Sequence, residues 1–311
     1  MVRRAALPGL IIVLAVLPLL APQVVIIYMT DLLIFTLFAL SLNLVVGYGG
    51  MLSMGHAAFF ATGGYTAGLL VTHLGVAMLP ALLAGPIVAA AVALVIGFFC
   101  VRLTHAYFIM LTLAFGQLVY TVFWKWHSAT GGDDGLTGIM PHPLLASQSA
   151  YYMFVLVIVL ACAWALYRIG RSPFGSALLA IKDNPRRAAF LGIDVRRMQL
   201  AAFTVAGTFA GIAGGLLALM IGFISPGVFN FHLSLMFLAM VVFGGIGSIP
   251  GAVLGSIVMG YLNLEMDAFE EFPLLGPALE GFSSRFMSSG GLPNFGWVVT
   301  GLLIVLTILI E

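Results

Sequence analysis

Two glycine-rich stretches interrupt apolar helices, and there this sequence could handle a solute. In the first, Gly47, Gly49, Gly50 and Gly55 fall within nine residues, with Asn43 before them and Ser53 and His56 at their end. Unwound backbone at membrane depth is tolerated only where it is buried in protein or lines a wet cavity. Asn43, Gly47, Gly49, Gly50, Ser53 and His56 are therefore candidates for a translocation path. The same residues admit a plainer reading: the glycines allow close helix packing, Ser53 caps the next half-helix, and His56 is a satisfied buried imidazole. The second stretch holds Gly244, Gly245, Gly247 and Ser248, followed by Pro250 and Gly251. Pro250 cannot continue a helix from within, and Ser248 can cap the next one. This is either a second broken helix on the path or an ordinary turn between two spans. Both stretches read Gly-Gly-x-x-Ser, at 49–53 and 244–248. Paired broken helices in two repeats are a transporter device, although a chain with 37 glycines can match itself by chance.

Three further segments carry spacing of interest. Gly207, Gly211 and Gly215 recur every four residues, a small-residue stripe that lets helices approach closely, within one subunit or across a dimer axis. The basic loop 168–198 predicts two short helices. Ser172-Pro173 starts the first, whose apolar stripe is Phe174, Ala177, Leu178 and Ile181, with Gly175 beside it. Asn184-Pro185 starts the second and Gly192 ends it. Such a stripe must bury itself on lipid, on this chain or on a soluble partner. Arg186 and Arg187 stand at a helix N-terminus, where the dipole disfavours cations, which suggests an acidic surface or lipid phosphates outside. The run 130–138, with Asp133 and Asp134 among glycines, follows Trp124, Trp126 and His127. It reads as turns beside an interfacial aromatic belt; the two acids are solvated or contact a docking protein or cation.

The elements that must position these residues are membrane helices. Hydrophobic residues make up 62% of the 311 and charged residues 7%, against about 25% charged in soluble domains. The fold expected is an all-α, polytopic membrane protein in one domain, 1–311. Ten spans are expected, at 8–28, 31–48, 52–73, 76–100, 106–123, 151–167, 199–221, 233–248, 250–264 and 293–310; the third, eighth and ninth are glycine-broken and could be half-helices. The first apolar run lacks a small-x-small cleavage site and is read as a retained span. With both termini cytoplasmic, the loop 168–198 faces the cytoplasm and holds seven of the twelve basic residues. The loops 124–150 and 265–292, rich in acids, face out. This agrees with the positive-inside rule. Cys100 and Cys162 lie in apolar spans and read as packed thiols.

No phosphate-binding Gly-x-x-x-x-Gly-Lys-Ser/Thr run occurs, so ATP hydrolysis by that route is excluded. Carboxylates are nearly missing from the spans, Asp31 being placed at a span edge, which argues against an ion-coupled carrier. No nucleophile–base or metal-ligand spacing suggests an enzyme, a metal site or any cofactor, and nothing points to nucleic acid.

The runs 43–60, 106–115, 130–138, 174–194 and 240–248 occur together in this order. In that combination the chain resembles the LivM-type permease subunits of branched-chain amino acid ABC importers, over roughly residues 38–262; urea and short-amide permeases are similar. The resemblance implies a bacterial inner-membrane permease that works with a homologous second permease, two ATP-binding subunits holding ATP and Mg, and a periplasmic solute-binding protein. It implies that residues 172–192, with Phe174, Gly175, Ala177, Leu178, Ile181, Arg186, Arg187 and Gly192, couple the pore to an ATPase. Family members often carry an acid where this chain has Asn184-Pro185-Arg186. Alternating access follows as the expected mechanism, and a charge on the stripe, at Phe174 or Leu178, is expected to abolish coupling.

Overall fold

The computed structural model describes residues 14–18, 21–103, 106–139, 141–229 and 231–268. The expected span 293–310, the terminal arginines and most of the loop 265–292 lie outside them. Within them the chain is an all-α polytopic membrane protein, with five helices long and apolar enough to cross a bilayer.

Helix α1, Gln23–Asn43, continues into one wide turn of π-helix, Leu44–Tyr48. It runs through the join expected between spans at residues 29–30. The break falls instead at Pro22, which is extended and leads into the helix; its ring cannot accept a preceding helical turn. Asp31 is therefore inside α1, half-buried, and not at a span edge. From Leu33 onward α1 is buried nearly all round, which explains why it is apolar on every face. It packs against α5 (Gln148–Gly170), α8 (Val195–Ile221), α9 (Phe231–Gly244) and α10 (Ile249–Ala268). The Thr36 and Ser256 hydroxyls meet 2.6 Å apart between α1 and α10.

A tight trio forms from α2 (Ala57–Thr72), α3 (Met78–Cys100) and α8. The glycine stripe faces α3 of the same chain: Gly207 meets Ala93, Gly211 meets Ala89 and Pro86, and Gly215 meets Leu82. On the α2 side, Gly211 lies on Gly63 and Gly214 on the Phe60 backbone. Apolar burial cannot drive such contacts in lipid, so close approach and dispersion must. Gly211→Ala would press a methyl onto Ala89 and is expected to cost about 1–3 kcal/mol. A lowered thermal midpoint in detergent, with unchanged expression, checks this.

Helix α4 (Ala106–Lys125) leans on this body along one side only. After it the chain makes turns with left-handed glycines at 131, 132, 135 and 138. It then forms strand β1, Leu136–Thr137, which pairs antiparallel with β2, Phe223–Ile224, Leu136 opposite Ile224. Asp133 accepts the Trp124 indole N–H at 3.1 Å. No cluster able to hold a metal ion occurs among the described residues. Cys100 and Cys162 are buried free thiols.

Candidate functional site

The two glycine breaks meet, and Asn43 joins them. Its Oδ1 accepts the Gly247 N–H at 2.9 Å, and its Nδ2 donates to the Ser248 carbonyl at 3.3 Å. Gly47 lies against Gly247, which takes the left-handed φ of +86° that suits glycine. A side chain at Gly47 would fall inside contact distance of both Asn43 Oδ1 and the Gly247 backbone. The π turn disposes of some carbonyls at the end of α1: Leu44 receives Gly49 N–H at 3.2 Å and Val45 receives Met51 N–H at 3.0 Å. Gly244 rests on Gly251, and the Ser248 hydroxyl accepts the Gly251 N–H at 3.1 Å, capping α10. Gly245 is left-handed with open space around it.

The Gly47 carbonyl is reached from outside the helix. Lys182 Nζ donates to it at 2.9 Å, while the lysine stem lies along left-handed Gly50. An ammonium at a helix C-terminus also complements the helix dipole. Lys182 lies in the last turn of α6, Pro173–Asp183, so the basic loop is bonded directly to the first glycine break.

Ser53 and His56 follow that break in a non-helical stretch held by two neighbours. Thr112 Oγ1 of α4 accepts the Met54 N–H, and Ser234 Oγ of α9 accepts the Ala57 N–H, both at 3.3 Å. Gly55 sits on the α4 backbone at Thr112 and Gly116. His56 is enclosed by Phe38 and Phe59, with Nε2 3.1 Å from Ser41 Oγ. The Ser41 hydroxyl donates to the Phe38 carbonyl at 2.7 Å, so its oxygen accepts and Nε2 carries the hydrogen. His56 Nδ1 and Ser53 Oγ, both buried, have no hydrogen-bond partner among the described residues. Each such group costs about 1–3 kcal/mol. Ser53 does not cap α2, which starts four residues later. Asn43, Ser53 and His56 are thus enclosed by protein in this conformation and do not face an open cavity.

The loop pair is α6 and α7, Pro185–Phe190. Ser172 caps α6 and Asn184 caps α7. Part of the α6 stripe is buried on this chain: Gly175 sits on the Gly170 backbone, Leu178 and Ile181 are enclosed, and half-buried Phe174 leans on the core. Ala177 is half-buried. A charge at Leu178 would therefore disrupt the fold and could not report on docking. What remains open is Phe190, 92% exposed, and Leu191, 75% exposed, beside exposed Arg186 and Arg187 and left-handed Gly192.

One further surface escaped sequence reasoning. A shallow cavity of about 540 Å³ runs along α4, lined by Ala114, Gln117, Leu118, Thr121, Val122 and Lys125. An unpartnered side-chain amide facing hydrocarbon costs about 2–7 kcal/mol.

Residues 6–308 match the family model described as branched-chain amino acid transport system / permease component. The chain belongs to this family. It is 32% identical over 271 residues to the high-affinity branched-chain amino acid transport system permease protein LivM of Escherichia coli, covering 78% of this chain and 64% of that protein. It is 25% identical over 245 residues to the permease BraD of Pseudomonas aeruginosa, covering 73% and 80%. The fructose import permease FrcC of Rhizobium meliloti is 27% identical over 166 residues, covering 52% and 40%. No solved structure matches the chain.

Proposed function

We propose that this chain is the permease subunit of an ATP-driven importer that moves branched-chain amino acids, or similar small polar solutes, across the bacterial inner membrane. The observation that carries the reading is the line of contacts from Lys182, bonded to Gly47, across the close approach of Gly47 and Asn43 to Gly247 and Ser248, both bonded to Asn43. It gives a soluble motor docked on the loop 168–198 a mechanical route to both glycine breaks. The amino acid transport roles named for LivM and BraD support amino acid transport, and FrcC keeps sugars within the range to be tested. In this reading the loop 168–198 and both termini are cytoplasmic, in line with its basic charge. Two ATP-binding subunits hold ATP and Mg, a second homologous permease completes the pore, and a periplasmic protein delivers solute. The chain itself hydrolyses nothing. Motor closure shifts α6 and α7, and the helices beside the breaks part toward the cytoplasm.

Asp31 inside α1 favours one rival, a stand-alone ion-coupled carrier, because intramembrane carboxylates mark ion pathways. Reconstitution separates the two. The complex with co-purified partners is expected to take up labelled leucine, and to a lesser degree urea, short amides or fructose, when ATP is supplied. Uptake by the purified chain alone without ATP, lost in Asp31→Asn, would establish the carrier and overturn the importer.

A further inference from the structure

We infer that the open face of α4 is a wall of the aqueous solute path, with Gln117 and Thr121 as the polar contacts it offers a zwitterionic amino acid. The inference rests on the importer reading and assigns its path. Helix α4 has two unlike faces. Phe108, Thr112 and Gly116 form the buried one, which holds the 54–56 stretch beside the first glycine break. Tyr107, Met110, Ala114, Gln117, Thr121 and Lys125 form the other, at steps of three and four residues, and all are exposed. Helical spacing of that kind places them in one row.

Comparison with the other open helices decides what this row meets. The exposed side of α3 carries Leu79, Leu83, Ile87, Leu94, Val95 and Phe98. That of α5 carries Met153, Val157, Trp164 and Tyr167. Both suit acyl chains; α4 also exposes Tyr107, Met110, Leu118 and Val122, and what sets it apart is the polar row among them. On α4 an amide, a hydroxyl and an ammonium follow one another at four-residue intervals along the same row. Lys125, in the last turn, can extend toward the interface, and Thr121 donates to the Gln117 carbonyl at 2.8 Å. The Gln117 amide has neither escape: it sits about two turns from the helix end and needs water, solute or a polar neighbour. The lower half of the face is a shallow groove in which Gln117, Thr121 and Lys125 alternate with Ala114, Leu118 and Val122. Its polar groups are neutral except at the end, which suits a solute carrying both charges. Because the opposite face holds the broken stretch, a shift of the break moves this wall.

Cysteine labelling in the reconstituted complex tests this. Gln117→Cys and Thr121→Cys are compared with Leu83→Cys and Ile87→Cys on the lipid side of α3; the native thiols are buried. A membrane-impermeant methanethiosulfonate is expected to label positions 117 and 121 at least an order of magnitude faster than 83 and 87. Leucine, delivered by the binding protein with ATP, is expected to slow labelling at 117 and 121. Equal rates at all four positions would mean that lipid or another protein segment covers the face, and the inference falls. Fast labelling that leucine leaves unchanged would mean a wet surface off the path, and it falls again. Wild-type uptake in the same vesicles is read separately: if it is ATP-dependent while 117 and 121 stay dark, the importer reading stands and the wall is wrong. If uptake is ATP-independent while leucine protects both positions, the wall stands and the motor is wrong.

Discussion

Phe190→Asp is expected to abolish ATP-driven uptake and to release the ATP-binding subunits during purification, while the permease itself stays folded in the membrane. The expectation follows from where the loop pair buries its apolar surface. Leu178, Ile181 and Ala188 are turned into this chain, so they hold α6 and α7 in place. Phe190 and Leu191 stand in the open at the tip, 92% and 75% exposed. Burying a large apolar side chain is worth about 1.5–3 kcal/mol. The pair could thus supply about 3–6 kcal/mol, or some two to four decades in affinity. A carboxylate in place of the ring loses that share and adds a desolvation cost. Arg186 and Arg187 would supply orientation and on-rate to an acidic rim, and their neutralisation is expected to cost less than Phe190 does. Pull-down of the ATP-binding subunits, with leucine uptake measured in parallel, checks the result. Phe190→Leu should restore both. Wild-type assembly and uptake in Phe190→Asp would remove the tip from the interface.

The contrast between Phe190 and Leu178 shows where sequence reasoning reaches its limit. A stripe at positions 174, 177, 178 and 181 is visible as a period, and Ser172-Pro173 and Asn184-Pro185 are visible as helix starts, because both are local. Which body the stripe buries against is not local. The same holds for Lys182: no spacing rule connects residue 182 to the carbonyl of residue 47, so it read as one more positive charge in a basic loop. Thr112 and Ser234, which hold the stretch after the break, were hidden in the same way. The glycine clusters stood out because unwound backbone in lipid is rare, but their pairing needed Asn43, whose amide spans 204 residues of sequence. Helix ends were recovered where a capping residue or proline marks them. The join near residue 30 was misplaced because Thr30 and Asp31 interrupt the apolar run there, whereas the proline that decides it lies eight residues earlier. That shift moved Asp31 from an edge to the inside of a helix, and weakened the compositional argument against a carrier.

Gly47→Leu is expected to stop uptake in a complex that still assembles. The side chain has nowhere to go: Asn43 Oδ1 and the Gly247 backbone occupy its space. Accommodating it means separating the two breaks, which strips buried Asn43 of its bonds to Gly247 and Ser248. Leaving those groups unpaired costs about 1–3 kcal/mol each, on top of about 1–3 kcal/mol of overpacking. Lys182→Met separates coupling from folding. Methionine keeps much of the stem along Gly50 but loses the ammonium that caps Gly47. Its removal sacrifices a partly exposed bond, so the chain should fold and bind its partners normally. If α6 drives the breaks through that bond, the Lys182→Met complex hydrolyses ATP near the wild-type rate and moves far fewer leucines per ATP. Lys182→Arg, which retains the charge and a donor, should recover part of the ratio. An unchanged ratio in Lys182→Met would show that motion reaches the breaks by another route, through the direct packing of α6 on the end of α5 at Gly170, and the Gly47 contact would then be a helix cap and nothing more.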